Sequence, residues 1–283
     1  KMLRIAIPNK GQLADPTQKM LREAGYLRSH HPRDLVVSDP ENDVEFFFLR
    51  PRDVATYVGA GTLDFGITGK DLLIDSKSKA ESIMDLGFGQ SSFRLAVTAD
   101  KASKGIAGLS GIKIATSYPN ILQSWLDKSS IKAEIVVLDG AVENAVRLGV
   151  ADAVADVVDT GTTLKQAGLV IIGEPILVSQ SVLLRGPNTK ESAETENFIR
   201  RISSVLVARE YVMIDYDIEQ SKVELASKIT PGIESPTISP LHLAGWVAVR
   251  AMTKRKEMHR VMDELYAAGA KGVIVTEIMA CRL

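Results

Sequence analysis

The segment Ala153-Val154-Ala155-Asp156-Val157-Val158-Asp159-Thr160-Gly161-Thr162-Thr163-Leu164 runs from an apolar strand through a hydroxyl-rich turn into a helix. Amides at a helix start point outward, the helix dipole adds partial positive charge, and a glycine lets the backbone approach an anion, so such a turn can cradle a phosphate. Thr160, Thr162 and Thr163 add hydroxyl donors, and Asp156 at the strand end is an acceptor for sugar hydroxyls. The pattern suits a sugar phosphate. It lacks the lysine and glycine spacing of a P-loop and the G-x-G-x-x-G of a dinucleotide site. Taken alone, it reads at least as well as an ordinary turn, with Thr160 as helix N-cap and Gly161 as turn residue.

Other strand ends carry groups that suit the same ligand. Lys10 follows the strand Leu3 to Pro8, and Arg50 and Arg52 follow Val44 to Leu49. Open α/β sheets bind ligands at the carboxyl ends of their strands, and arginine forks match phosphate oxygens. The plain alternatives are a solvated lysine and an arginine paired with Asp53. The glycines of Leu63-Asp64-Phe65-Gly66-Ile67-Thr68-Gly69 permit close backbone approach or tight strand-to-helix packing. Asp139 and Glu143 are two carboxylates past a strand end at a helix start, where acids are commonplace stabilisers; as the strand end preceding the threonine-rich turn, theirs is expected to share one rim with it. The histidines, at 30, 31, 242 and 259, have no metal-ligand spacing and form no Ser-His-Asp order.

Parallel sheets with crossover helices are predicted to hold these loops, because short β-rich runs alternate with helical ones. A first lobe reads as strands at Leu3–Pro8, Val44–Leu49 and Leu63–Thr68 with helices between. A second runs from Phe93–Val97 through Ile112–Ala115, a helix after Pro119, Glu134–Leu138, a helix over Val142–Leu148, and the strand into Asp156. A long strand over Ile176–Leu184 leaves the second lobe, and a helix over Thr195–Arg209 packs back on the first. The cleft between the lobes is the expected ligand site. Beyond it, Tyr211–Tyr216, Val223–Ser227, Trp246–Ala251, Met258–Ala268 and Gly272–Ile278 read as a small α/β domain of alternating strands and helices.

Composition narrows the partners. The 283 residues carry 34 basic and 35 acidic side chains, a net charge of -1, so no global field draws the protein to nucleic acid or membrane. Any polyanion must be met by local cations. The single cysteine, Cys281, and the lack of a signal-peptide-like apolar stretch fit a reducing cytoplasm.

Taken together, Pro8-Asn9-Lys10-Gly11, Leu49-Arg50 with Asp53-Val54, Leu63 to Gly69, Asp139-Gly140-Ala141-Val142-Glu143, and Ala151 through Leu164 resemble ATP phosphoribosyltransferase, which opens histidine biosynthesis. The tail, with Ile229-Thr230-Pro231-Gly232-Ile233-Glu234-Ser235-Pro236-Thr237-Ile238 and Gly269-Ala270-Lys271, resembles the regulatory domain of its long form. The resemblance covers the whole chain in family order. It implies an α/β fold: a two-lobed, periplasmic-binding-protein-like core followed by an ACT-like or PII-like βαββαβ regulatory domain. Lobe I would be 1–90 with 180–210, lobe II 91–179 and the regulatory domain 211–283.

The resemblance also implies site roles. Thr160, Gly161, Thr162 and Thr163 would hold the 5-phosphate of phosphoribosyl pyrophosphate, and Asp156 its ribose hydroxyls. Arg50 and Lys10 would serve the pyrophosphate, with Asp139 and Glu143 along the ribose or nucleotide region. Arg33 is a weaker match, its loop departing from much of the family. Mg2+ dependence is implied without assignable protein ligands, as are dimers that assemble into hexamers, and inhibition by histidine at Asp217, Ser235, Thr237 and Ala270. The competing class is a non-catalytic two-lobed binding protein or amino-acid sensor, because fold by itself does not define function.

Overall fold

The computed structural model describes residues 2–283. Strands β1 (Leu3–Pro8), β2 (Val36–Asp39), β3 (Val44–Leu49), β4 (Phe65–Gly69) and β5 (Glu81–Asp85) come first, followed by β6 (Ser91–Thr98), β7 (Lys113–Thr116), β8 (Glu134–Val137), β9 (Ala153–Val158) and β10 (Leu169–Ser179). The chain then returns through β11 (Ser181–Arg185). Helices α1 (Ala14–Glu23), α2 (Pro51–Gly59), α3 (Lys70–Asp75), α4 (Pro119–Lys128) and α5 (Thr162–Gln166) connect them. By contact the chain forms two compact units, Lys1–Lys19 with Leu27–Glu194, and Met20–Tyr26 with Thr195–Leu283.

The first unit is the two-lobed α/β core. One sheet has the order β2-β3-β1-β4-β11-β5 and the other β10-β6-β9-β7-β8. Only β3-β1-β4, at the centre of the first sheet, and β9-β7-β8, at one end of the second, are parallel; β2, β11, β5, β6 and β10 pair antiparallel. The sheets are therefore mixed rather than parallel throughout, because the chain crosses between them and comes back. The outward crossing is Leu86–Gln90 and the return is Gln180 alone. They are bonded to each other: Leu86 N–H donates to Ser181 C=O (3.0 Å) and Ser181 N–H to Phe88 C=O (2.9 Å). The single strand expected over Ile176–Leu184 is thus two strands, broken at Gln180 and shared between the sheets.

Covered strands read as continuous apolar runs, β4 being buried throughout. In the second sheet alternate residues fill separate cores: Phe93, Leu95 and Ala155 on one face, Ala96, Val154 and Val158 on the other. The helix expected over Val142–Leu148 is a 3-10 turn, Val142–Asn144, followed by irregular chain. Ala141 enters it in the left-handed region at φ 50° and Gly149 leaves at φ 74°, which breaks any regular helix on both sides. Strands β2 and β5 gave no recognisable sequence pattern because they are sheet edges with little buried face.

The second unit contains α6 (Ala193–Glu210), whose Phe198 ring meets Tyr26 at 5.5 Å. It continues as β12 (Tyr211–Glu219), α7 (Val223–Ile229), β13 (Thr237–Pro240), β14 (Trp246–Lys254), α8 (Met258–Ala267) and β15 (Lys271–Glu277). From Tyr211 this is βαββαβ, with an antiparallel sheet of order β13-β14-β12-β15. Strict alternation in β12 turns Val212, Ile214, Tyr216 and Ile218 onto a core shared with Ala226, Val261 and Leu265 of the helices.

Candidate functional site

The threonine-rich turn forms one wall of a pocket of about 210 Å³ in the first unit. Its lining runs from Asp156 to Leu164, with Glu143 beside it, Ser91 from the start of β6 and Gln12 from the loop after β1. Both lobes therefore contribute.

Local geometry decides between the readings of the turn. Gly161, not Thr160, is the residue before helix α5, at φ 76° and ψ 4°, and no side chain caps that helix. The first helical bond in this turn runs from Lys165 N–H to Gly161 C=O, so the amides before Lys165 open toward the pocket mouth. The Thr160 and Thr162 hydroxyls lie 2.8 Å apart, and the Thr162 amide reaches Thr160 Oγ1 only weakly at 3.4 Å. Thr160, Thr162 and Thr163 are exposed; one hydroxyl of the Thr160–Thr162 pair donates to the other, leaving the second and that of Thr163 to face a ligand. A Cβ on Gly161 would meet only Ile171 and Val158 carbons at 3.6 and 3.7 Å, so its glycine is required by the left-handed backbone rather than by crowding.

Asp156 is mostly buried at the back of the pocket. Burial pushes its carboxyl up to about 6, the Val157 amide donating to Oδ1 at 2.8 Å opposes this, and the Glu143 charge adds to it. A carboxyl poised near neutrality inside a cleft is a mark of functional sites. Asp139 is exposed and lies outside the pocket lining, whereas Glu143, turned inward by the 3-10 turn, is part of it.

Lys10 and Arg50 occupy one rim. Register pairs Pro8 with Leu49, and Asn9 N–H donates to Leu49 C=O at 2.8 Å, which brings the two cations side by side at the carboxyl ends of β1 and β3. Both are exposed, and neither lines the pocket; Gln12 does so from the same loop. Arg52 is spent differently. Its guanidinium is bonded to Asp75 at 3.0 Å and Ser117 C=O at 2.6 Å, so its carboxylate partner is Asp75 and not the neighbouring Asp53. Arg33 lies in an exposed loop, its amide reaching His31 Nδ1 at 3.3 Å. In the Leu63–Gly69 stretch, Gly66 belongs to packing: a Cβ there would stand 2.6 and 2.8 Å from Val58 and Val54 of α2.

In the C-terminal domain, Asp217 and Thr237 share the sheet face away from the helices. Asp217 pairs with Ala248, and Thr237 with Arg250 two residues along the same strand. Asp217 lies inside β12, which excludes a helix-capping role, and Thr237 opens β13. Ser235 and Thr237 line a pocket of about 540 Å³ with Arg250 and Met252, whereas Ala270 is buried in the core at the end of α8. Gln12, Ser91 and Asp75 carried no signal in the sequence; each is a polar residue of ordinary type whose role comes from a distant partner.

The ATP phosphoribosyltransferase family model matches residues 50–204, and the model of that family's C-terminal domain matches residues 208–280. ATP phosphoribosyltransferases of Salinispora tropica and Streptomyces avermitilis are 54% and 55% identical, each over the whole of both chains. The solved ATP phosphoribosyl transferase (HisG:HisZ) complex from Thermotoga maritima contains a chain that superposes with a TM-score of 0.63 at 27% identity, covering 71% of this chain and 97% of that one. With two family models in order and full-length relatives above half identity, the chain belongs to the ATP phosphoribosyltransferase family, in the long form that carries the C-terminal domain.

Proposed function

We propose that the pocket under the Asp159–Thr163 turn is where this phosphoribosyltransferase holds phosphoribosyl pyrophosphate for transfer to N1 of ATP. The observation that carries the reading is the uncapped, hydroxyl-lined helix start beside a buried carboxylate. The amides after Gly161 and the Thr160, Thr162 and Thr163 hydroxyls bind the 5-phosphate. Asp156 accepts from the ribose hydroxyls, and Glu143 and Asp139 border the ribose and nucleotide.

The adenine N1 lone pair forms the new bond to C1 while the C1–O bond breaks and its electron pair leaves with pyrophosphate. Charge grows on the leaving group, so Arg50 and Lys10, without carboxylate partners among the described residues, stabilise it as the bond lengthens. Positioning of two polyanions supplies the remainder, and no protein nucleophile is required. Mg2+ fits as a counter-ion held by substrate phosphates: Glu143, Asp156 and Asp159 line the pocket, but no group of three or more acids, histidines or cysteines placed to hold a metal ion occurs among the described residues.

The domains divide the work. Lobe I (1–90 with 180–210) and lobe II (91–179) are catalytic, and 211–283 is regulatory, with histidine inhibiting through Asp217, Ser235, Thr237 and Ala270. The active form is a homo-oligomer, a dimer that assembles into a hexamer, working in the cytoplasm. No helix among the described residues is long and apolar enough to cross a membrane. Incubation with ATP, Mg2+ and phosphoribosyl pyrophosphate should yield pyrophosphate and an N1-substituted adenine nucleotide. Saturable binding of both substrates without either product would return the chain to the class of non-catalytic binding proteins.

A further inference from the structure

Helix α4 of the second lobe begins without a cap of its own. Tyr118, the residue before it, makes no side-chain cap bond, and Pro119 occupies the first turn. The cap comes instead from the other lobe. Asp75, the last residue of α3, sends Oδ1 to the amides of Asn120 (3.0 Å) and Ile121 (3.1 Å), the two positions that an N-cap side chain ordinarily serves. Its backbone carbonyl accepts from Asn120 Nδ2 at 2.7 Å, and its side chain is 4% exposed.

Arg52 of α2 completes the tie. One arm donates to Asp75 Oδ2 at 3.0 Å within the first lobe, the other to Ser117 C=O at 2.6 Å in the second, and the guanidinium stands 4.9 Å from the centre of the Tyr118 ring. One turn back on α3, buried Asp71 accepts from Ser179 Oγ at 3.0 Å, next to the single-residue return crossing. A helix dipole, a half-buried ion pair and a hinge anchor thus meet at one point between the lobes.

We propose that Asp75 and Arg52 are positioning residues that hold the cleft at a fixed opening, so that the rim cations and the phosphate turn face each other before substrate arrives. Opening the lobes would uncap α4 and take the Asn120 and Ile121 amides from the Asp75 carboxylate, and water replaces such charge-assisted hydrogen bonds only in part. The cleft is therefore preformed, unlike that of a two-lobed receptor closing on its ligand. For catalysis this rests on the reading that the cleft holds both substrates.

The test uses the full-length chain with Cys281→Ser and spin labels at Tyr57→Cys and Val137→Cys, positions 49% and 62% exposed in the first and second lobes. Pulsed dipolar spectroscopy should give one narrow distance, unchanged by phosphoribosyl pyrophosphate. Asp75→Ala should broaden it and add a longer distance, and Asp75→Asn, which still accepts from the amides, should do so less. In unlabelled protein Asp75→Ala should raise KM for both substrates and lower kcat, each by tenfold or more, whereas a merely destabilised fold would scale kcat alone. Should Asp75→Ala fail to fold, Arg52→Gln, which keeps the cap, should still broaden the distance. A distance that shifts on adding substrate to the parent, or stays narrow in folded Asp75→Ala and in Arg52→Gln, overturns the proposal. Broadened distances with unchanged kinetics would leave the clasp standing and remove the cleft as the site.

Discussion

Glu143, in the 3-10 turn, and Asp156, in strand β9, face the same pocket, and the charge of Glu143 adds to burial in lifting the Asp156 carboxyl to about 6. Each acid alone is unremarkable in sequence. Together they make this end of the pocket sensitive to pH just below neutrality.

The KM for phosphoribosyl pyrophosphate should therefore rise as pH falls through about 6, where Asp156 takes up a proton and becomes a weaker acceptor. Glu143→Gln should move that inflection to lower pH, and Asp156→Asn should flatten it at a uniformly higher KM. A pH-independent KM in the parent between pH 5 and 8 would remove Asp156 from ribose binding.

The same shift has a stability consequence of opposite sign. A carboxyl whose folded value lies above the unfolded 3.8 binds its proton more tightly when folded, so stability falls as pH rises from about 4 to 6 and stays reduced above that. The shift corresponds to about 3 kcal/mol at neutral pH, taking roughly 1.4 kcal/mol per unit. Asp156→Asn should raise Tm at pH 7.5 and not at pH 4, measured by calorimetry, while weakening substrate binding.

Thr162→Val should weaken phosphoribosyl pyrophosphate binding by about 1–3 kcal/mol through loss of a hydroxyl donor to the phosphate. Gly161→Val should weaken it too, through left-handed strain of about 1–2 kcal/mol that deforms the turn. Titration calorimetry reads both, and unchanged affinity in the pair would sink the phosphate assignment.

Arg50→Ala should lower kcat more than it weakens ATP binding, because charge on the leaving pyrophosphate grows only as the C1 bond breaks. Steady-state kinetics with both substrates varied make the comparison. Wild-type turnover would take Arg50 out of the mechanism.

Asp217→Ala should abolish inhibition by histidine and leave both KM values unchanged. It is a cleaner test than truncation from Tyr211, because the tail is bonded to α6 through Arg255 to Arg209 C=O and Cys281 N–H to Ser204 C=O. Linkage also requires a histidine that opposes substrate binding to bind less tightly when that substrate is present. Full inhibition of the Asp217→Ala enzyme would move the effector site elsewhere.

What the chain declares along its own length is local chemistry. Apolar runs such as Leu3–Pro8 and Ala153–Val158 mark buried strands; Pro51 and Pro119 mark helix starts; Thr160–Thr163 after Asp156 marks a hydroxyl-rich turn into a helix. Motif order along the whole chain was enough to identify the family, because each motif is a contiguous strand end. Edge strands such as Val36–Asp39 and Thr237–Pro240 escaped because they bury too little to impose a period. Only the tertiary structure could decide which of two arginines flanking Pro51 is tied to a carboxylate. Arg50 stays exposed on the rim, while Arg52 is drawn into a half-buried tie with Asp75 and Ser117, partners 23 and 65 residues away. Capping of α4 by Asp75, and the coupling of Glu143 to Asp156, arise the same way. A hydrogen bond or a charge interaction acts through space over a few ångströms, and sequence separation carries no trace of it until the lobes are folded.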